Sequence, residues 1–279
     1  MGMVINTNIG SENAIRLLDK TSRSQAISME RLTSGARING SKDDAAGLSI
    51  VTNMNSQVKG LGMAVRNAND GIAMIQTMDG AVEEVVNMLQ RQRELSIQAM
   101  NGTYTSAQRS DMQTEFSQLT EEINRVASTT KFNGISVFAT STIENIGFQV
   151  GWENGGANRI GSGSLGGISF SDIALSLATP SFTGSAGDIS VTVGALSGII
   201  STIQTTRARW GAVMNRLDYS VNNLQNIDKN IRAARSQIND TNYAVESANL
   251  ARTQVLSQAG MSMLSQSNQS SQNVLSLLR

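Results

Sequence analysis

Residues 58–89 decide the fold, and they read VKGLGMAVRNANDGIAMIQTMDGAVEEVVNML. Their apolar side chains recur at steps of three or four residues, or multiples of these, with the polar Asp79 at one position of the series. Such spacing places a continuous apolar seam on one helix, and the seam needs a partner helix to cover it. The seam consists of Val58, Leu61, Val65, Ala68, Ile72, Ile75, Val82, Val86 and Leu89.

A second seam of similar length lies far from the first, towards the other end of the chain. It consists of Leu217, Val221, Leu224, Ile227, Ile231, Ala234 and Ile238. The two seams predict that the chain folds back on itself and joins its ends through long antiparallel coiled-coil helices. The predicted fold class is therefore mainly α, in the form of a rod whose function lies along its surfaces rather than in a pocket.

Capping and turn residues predict the ends of the first long helix. Ser41 followed by Asp44 fits a capping box, and the helix is predicted to continue to about Met100. The adjacent Asp43 and Asp44 could instead bind a cation, but nothing nearby completes such a site. Asn101-Gly102 is a stop signal.

A further helix is predicted after this stop, because apolar residues again step by three and four from Met112 to Val126. Glu121 and Arg125 are spaced to form a surface ion pair worth a few tenths of a kcal/mol. The neighbouring Glu121 and Glu122 point to different parts of the helix surface, so the carboxylates indicate a solvated face rather than an acid–base pair.

The glycine-rich middle of the chain predicts short β elements. Phe132-Asn133-Gly134 is a turn signal, and residues 146–150 and 189–193 alternate in polarity like strands. This part has too few large apolar residues for a second sizeable core. Trp152 and Trp210 are predicted to pack there rather than to serve as ligand platforms.

The helical pattern weakens towards both termini. In the first forty residues Ser22 and Gln25 fall at seam positions, and the last long helix, predicted over about 196–258 with a break, is followed by Gly260. Short polar helices are marginal in water, so both ends are predicted to be covered by something outside the chain. The candidate residues for that contact are Ile15, Leu18, Ile27, Leu32, Leu250, Val255, Leu256, Met263, Leu264, Val274, Leu275, Leu277 and Leu278.

Composition excludes several classes of protein. The 22 basic and 22 acidic residues balance, so neither nucleic acid nor an anionic membrane is an expected partner. Histidine and cysteine are absent, which removes the commonest general base, transition-metal ligand and thiol nucleophile, and no cofactor is expected. The start MGMVINTNIG lacks the features of a cleaved secretory signal, and no membrane-spanning apolar run is expected.

The chain resembles bacterial flagellin in several motifs that follow one another in order. They are VINTN at 4–8, ERLTSGARINGSKDDAAGLSI at 30–50, KGLGMAVRNANDGI at 59–72, LQRQRELSIQAMNGT at 89–103 and TKFNGISVF at 130–138. Residues 237–279 are similar to the flagellin C-terminus almost throughout. The resemblance covers both ends of the chain.

The resemblance implies a discontinuous arrangement of three domains. Residues 1–42 with 240–279 would form an inner terminal coiled coil that is disordered in the free subunit. Residues 43–139 with 197–239 would form a helical rod domain. Residues 140–196 would be a short, variable, β-rich insert without the large outer domains of longer relatives.

The same resemblance implies the function and the partners. The chain would polymerise with itself into the extracellular flagellar filament for motility, after unfolded export by the flagellar type III apparatus. An export chaperone on the C-terminal segment and the filament cap and hook-junction proteins would be further partners. A hook–filament junction protein of the same superfamily is the alternative. A metalloprotease insert, found in some flagellins, would need histidine ligands, so no enzyme activity is expected.

The resemblance to flagellins also implies a receptor-binding patch on the surface of the chain. The segment LQRQRELSIQ resembles the part of many flagellins that host Toll-like receptor 5 recognises, and Arg91, Leu95 and Gln98 match it, with Glu115 opposite on the next helix. The first three are spaced by four and three residues and share a helix face. They could equally be packing and filament-contact residues.

Overall fold

The computed structural model describes residues 8–138, 146–161, 182 and 186–277. Its helices are α1 (Ile9–Ser34), α2 (Ala45–Ala99), α3 (Ser106–Thr129), α4 (Ala186–Asn239) and α5 (Tyr243–Leu277). Two hairpins lie between α3 and α4 within the described residues: β1 (Lys131–Phe132) with β2 (Ile135–Ser136), and β3 (Phe148–Gln149) with β4 (Arg159–Ile160). The mainly α fold class is confirmed.

Two compact units divide the chain. The first contains residues 1–56 and 230–279, and the second contains residues 57–229. The core of the second unit is built from α2, α3 and α4 together with apolar residues from the hairpin region. The terminal unit contains α1 packed against α5.

The seam predicted on α2 is present and is wider than the sequence indicated. Leu61, Ala68, Ile75, Val82 and Leu89 are all buried at seven-residue intervals. Met78 and Val85 are also completely buried and complete the seam beside Asp79. The Asp79 carboxylate accepts hydrogen bonds from Arg207 of α4, at 2.6 Å from Nε and 3.0 Å from Nη2. The polar position in the apolar series is therefore occupied by an ion pair between the two helices.

The seam on α4 begins earlier than predicted. Buried residues recur at every seventh position through this helix: Ile189, Leu196, Ile203, Trp210, Leu217 and Leu224. The predicted strand at 189–193 is wrong, because this segment lies inside α4 and gives Ile189 to the helical core. Trp210 consequently packs among helices and not in the β region, whereas Trp152 is 46% exposed.

One described helix segment, Gly187–Asn239, is long and apolar enough by length and composition to cross a membrane. In the most apolar stretch of this helix, 22% is buried. The side chains buried at seven-residue intervals therefore account for only part of its apolar content.

Local sequence signals explain the ends of the helices, but two predictions need correction: the residue that caps α2 and the end of the last helix. Asp44 itself caps α2, since its Oδ1 accepts a hydrogen bond from the Gly47 amide at 2.8 Å, and Ser41 precedes the helix instead of capping it. The stop after α2 falls as predicted, and Thr105 and Gln108 form a reciprocal capping box at the start of α3. The break in the last helix falls at residues 240–242, and α5 then continues to Leu277, beyond the predicted end.

Helix α3 is held by an aromatic contact with Phe182, which precedes α4, and by hydrogen bonds from α2. Phe116 is buried and meets Phe182 edge-on, with ring centroids 5.3 Å apart. The buried Gln92 side chain donates to the Phe116 carbonyl at 3.1 Å and to Thr120 Oγ1 at 2.8 Å. The predicted Glu121–Arg125 pair is wrong, because Arg125 binds Glu122 one turn earlier.

The first hairpin confirms the predicted turn. Asn133 and Gly134 have φ values of 51° and 80°, and successive positive φ angles characterise the tight turn that matches strand twist. The strand predicted at 146–150 is present in the second hairpin, but it is shorter than predicted. Only Phe148 and Gln149 pair with β4.

The second hairpin docks on two glycines of α2. A Cβ added to Gly71 would lie 2.8 Å from the Phe148 ring, and one added to Gly60 would lie 2.7 Å from the Trp152 Cβ. Between them, Asn67 Nδ2 donates to the Gln149 carbonyl at 3.2 Å. These glycines weaken the helix but allow the hairpin to approach its backbone.

This docking predicts opposite effects for two glycine-to-alanine changes in α2. Gly80→Ala should stabilise the chain by about 0.5–1 kcal/mol, because nothing lies within 4 Å of the added methyl group and alanine favours the helix. Gly71→Ala should destabilise it by roughly 1 kcal/mol, because the clash with Phe148 exceeds the gain in helix propensity. Urea unfolding followed by circular dichroism measures both, and equal shifts for the two variants would contradict the docking.

Candidate assembly surface

Helices α1 and α5 form an antiparallel pair with defined ends. The Asn8 side chain caps α1 by accepting from the Ser11 amide at 3.1 Å, and Gly35, with φ of 69°, ends it. Tyr243 Oη donates to the Leu32 carbonyl at 2.8 Å and so satisfies one of the last carbonyl groups of α1.

The seam between α1 and α5 is made mostly of small and polar residues. Ser28 and Glu246 are buried in it, and the Arg31 Nη1 lies 4.0 Å from Glu246 Oε2. A Cβ added to Gly260 would lie 2.9 Å from Leu18, so this glycine permits close approach of the helices. The other half-buried members are Ser11, Ala14, Leu18, Thr21, Gln25 and Leu32 on α1, and Asn249, Leu250, Thr253, Ser257, Leu264 and Ser267 on α5.

Most of the large apolar residues of this pair face outward instead. Eleven of them are between 44% and 68% exposed. They are Ile9, Ile15, Leu17, Ile27 and Met29 on α1, and Tyr243, Val245, Val255, Leu256, Met261 and Met263 on α5. A helix pair in a finished monomer normally has the reverse arrangement, with apolar residues between the helices and polar ones outside.

Part of this outward surface is an apolar groove of about 530 Å³. We call it the terminal groove. Its lining comes from both helices and consists of Gly10, Asn13, Ala14, Leu17, Leu18, Thr21, Leu256, Ala259, Gly260, Met263 and Ser267.

The candidate terminal residues fall into three groups. Ile15, Ile27, Val255, Leu256 and Met263 are exposed on the outer surface. Leu18, Leu32, Leu250 and Leu264 are half-buried. Val274, Leu275 and Leu277 lie in the last turns of α5 with side chains outside the described part, and Leu278 lies outside the described residues.

Six of the eleven outward residues were not among the candidates predicted from the sequence: Ile9, Leu17, Met29, Tyr243, Val245 and Met261. Helical spacing alone does not say which apolar residues lie in the seam and which lie outside it. Leu17 lies beside the seam residue Leu18, and this adjacency of two leucines in a polar helix was the available signal that apolar surface extends beyond the seam.

The second candidate surface lies where α2 meets α3. Arg91 Nε donates to Glu115 Oε1 at 2.9 Å, and Arg91 Nη1 donates to Glu94 Oε2 at 3.3 Å. The hydrogen bond to Glu115, then that to Glu94, raises the pKa of Arg91 above its ordinary value. Gln98 is exposed and donates to Tyr104 Oη at 2.9 Å. Leu95 is only 2% exposed, so it packs inside the unit beneath this surface.

No group of three or more aspartate, glutamate, histidine or cysteine residues that could hold a metal occurs in the described parts of the chain. The charged groups of the surface around Arg91 are instead paired with one another as ions.

Both halves of the chain match known family profiles. Residues 5–142 match the bacterial flagellin N-terminal helical region, and residues 193–278 match the bacterial flagellin C-terminal helical region. The chain belongs to the bacterial flagellin family. Flagellins are a structural protein family and not an enzyme family, and membership identifies this flagellin as a structural subunit of the flagellar filament.

Similar proteins extend over the full length of this flagellin. The flagellin of Halalkalibacterium halodurans is 38% identical, with 99% of this chain and 100% of the relative covered. The flagellar filament 33 kDa core protein of Treponema phagedenis is also 38% identical, with the same coverage. A crystal structure of Bacillus cereus flagellin is 28% identical over 57% of this chain and 88% of its own chain, with a TM-score of 0.48.

Proposed function

We propose that this flagellin polymerises through the outer surface of the α1–α5 pair, with a second copy of the chain as the occupant of the terminal groove. The observation that carries the proposal is the outward position of the eleven apolar side chains of that pair. Family membership in a filament-forming protein supports a second copy of the chain rather than another partner.

The energetics favour burial of this surface. Covering a large apolar side chain stabilises by roughly 1.5–3 kcal/mol when it was fully exposed, so several half-exposed ones supply enough for association. The contact would be between different surfaces of successive subunits, because such contacts continue as a helical filament instead of closing.

The polar seam also accounts for the proposed domain arrangement. A pair whose seam combines four half-buried leucines with polar and small residues such as Ser28, Gln25 and Gly260 gains limited apolar burial of its own, so α1 and α5 would become stably folded only on assembly. The inner terminal domain would then comprise residues 1–42 and 240–279, the rod domain 43–139 and 197–239, and the insert 140–196.

Export through the flagellar type III apparatus fits the same properties. The chain contains no cysteine and one proline, so neither disulfides nor many slow proline isomers hinder unfolding and refolding. A chaperone would cover the apolar residues of α5 before export, and the cap and hook-junction proteins would meet the subunit outside the cell.

Seeded elongation tests the proposal. Purified subunits are added to short filament fragments, and filament length is followed by electron microscopy. Continuous growth supports a filament subunit. Addition of a single terminal layer would identify the alternative, a junction protein, and no addition by the intact chain would contradict the proposed function.

The Arg91 surface supports a second proposal, recognition by host Toll-like receptor 5. Arg91, Gln98 and Glu115 are exposed together on neighbouring helices, while the buried Leu95 supports them from below. Exposed arginines held in fixed geometry are frequent binding residues, because little side-chain freedom remains to be lost.

A double substitution tests receptor recognition. Arg91→Ala with Glu115→Ala should raise the subunit concentration for half-maximal receptor signalling roughly tenfold, because both charged groups of the surface are removed. Reporter-cell dose responses measure this. Glu122→Ala with Arg125→Ala is the matched control, since it removes another exposed ion pair of α3. An unchanged dose response for the first double variant would exclude this surface.

A further inference from the structure

Met263 places an oxidisable sulfur in the terminal groove. Its side chain is 66% exposed and lines the groove together with Leu17, Leu18 and Leu256. Methionine is flexible and polarisable, and it adapts well to an apolar partner surface.

We propose that oxidation of Met263 to its sulfoxide stops subunit addition, so that the groove senses oxidants as well as receiving the next subunit. The inference rests on the proposed function, because the groove is covered by a second copy only during assembly. The oxidant is a peroxide. Its O–O bond breaks, an S–O bond forms, sulfur loses two electrons, and the remaining oxygen leaves as water when the peroxide is hydrogen peroxide.

The sulfoxide oxygen is a strong acceptor that would have to be buried. The two hydroxyl groups lining the groove already donate elsewhere. Thr21 Oγ1 donates to the Leu17 carbonyl at 2.9 Å, and Ser267 Oγ donates to Asn8 Oδ1 at 3.3 Å. The neighbouring leucines offer only carbon, so the Asn13 amide is the one side-chain donor left in the described lining. A sulfoxide oxygen accepts more than one hydrogen bond from water, so burial of the oxidised side chain against a second subunit would still lose hydrogen bonds that water provides to it.

The chain provides a matched control on the same helix. Met261 is 57% exposed, close to Met263 in accessibility, and it does not line the groove. Two helical residues separated by one other lie about 200° apart around the axis, so the two sulfurs face different sides of α5. Peroxide should reach both, but only one oxidation should affect the groove.

The experiment combines oxidation with substitution. Unpolymerised subunits are treated with hydrogen peroxide until peptide mass spectrometry shows sulfoxide at both Met261 and Met263, and they are then added to untreated filament seeds. Wild-type elongation should fall roughly tenfold. Treated Met263→Leu, which keeps the volume and apolarity, should elongate at least about threefold faster than treated wild type, although sulfoxides at Met29 and Met261 on the outer surface lower its own rate. Treated Met261→Leu should fall as far as wild type.

Several outcomes separate this inference from the proposed function. Untreated subunits that fail to elongate would overturn both. Untreated elongation with no loss after oxidation of Met263 would overturn the inference alone, as would an equal loss in treated Met263→Leu. Recovery of elongation after methionine sulfoxide reductases restore the thioether would support it.

Discussion

Leu17→Asp is expected to abolish filament elongation while leaving the helical core of the second unit folded. Leu17 is 65% exposed and lines the terminal groove, so an aspartate there remains hydrated in the free subunit. In the filament its carboxylate would be buried against apolar side chains without a counter-charge. The concentration needed for elongation should rise at least about 100-fold.

The assay is seeded growth observed by electron microscopy. Leu17→Met is the control at the same position, because it preserves apolar surface and should elongate normally. Urea unfolding of the core should be unchanged in both variants. Growth of Leu17→Asp at the wild-type concentration would show that the groove is not the assembly surface.

Trp210→Ala is expected to lower the free energy of unfolding of the second unit by about 3–5 kcal/mol. Trp210 is completely buried at one of the seven-residue positions of α4, and its removal leaves a cavity that the surrounding helices cannot fully close. Urea unfolding monitored by circular dichroism at helical wavelengths measures the loss without depending on tryptophan emission.

The other tryptophan of the chain supplies the comparison. Trp152 is 46% exposed beside Gly60, so Trp152→Ala should cost no more than roughly 1 kcal/mol. Losses of similar size in the two variants would contradict the assignment of Trp210 to the core and of Trp152 to the surface.

Much of the fold could be predicted from local signals. Helix α2 begins and ends close to its predicted bounds, because the signals at both ends are local. Asp44 caps the first turn by accepting a hydrogen bond from the Gly47 amide, and Asn101-Gly102 follows the last turn. The turn at Asn133-Gly134 was predictable for the same reason, since few residues tolerate positive φ.

The start of α4 could not be read from alternation alone. Residues 189–193 alternate in polarity as a strand would, but burial against α2 and α3 decides the local structure. The seven-residue recurrence of Ile189, Leu196, Ile203 and Trp210 was the signal for a helix, and it becomes visible only over a window longer than one strand.

The candidate surfaces were predictable in position more than in detail. The weak seams located the terminal surface, yet they gave no reason to expect Leu17 outside and Ser28 inside. Likewise, the helical spacing grouped Leu95 with Arg91 and Gln98, but only the packing of the unit reveals that Leu95 is buried. Arg125 had carboxylates at both the i−3 and i−4 positions, and helical spacing alone does not decide between Glu122, which it binds, and Glu121.

The ion pair between Asp79 and Arg207 has a consequence for the uniqueness of the fold. Apolar seams that repeat every seven residues on both α2 and α4 would still match if one helix slid along the other by about 10 Å, the rise of seven residues. Apolar burial alone would then leave several alignments nearly equal in free energy. Arg207 pairs with Asp79 and also lies 3.6 Å from Glu83 in the observed alignment, and sliding by seven residues would separate it from Asp79, so the ion pair favours this alignment over the others. Asp79, the one polar residue in the apolar series of α2, therefore favours one alignment of α2 and α4 over those displaced by seven residues.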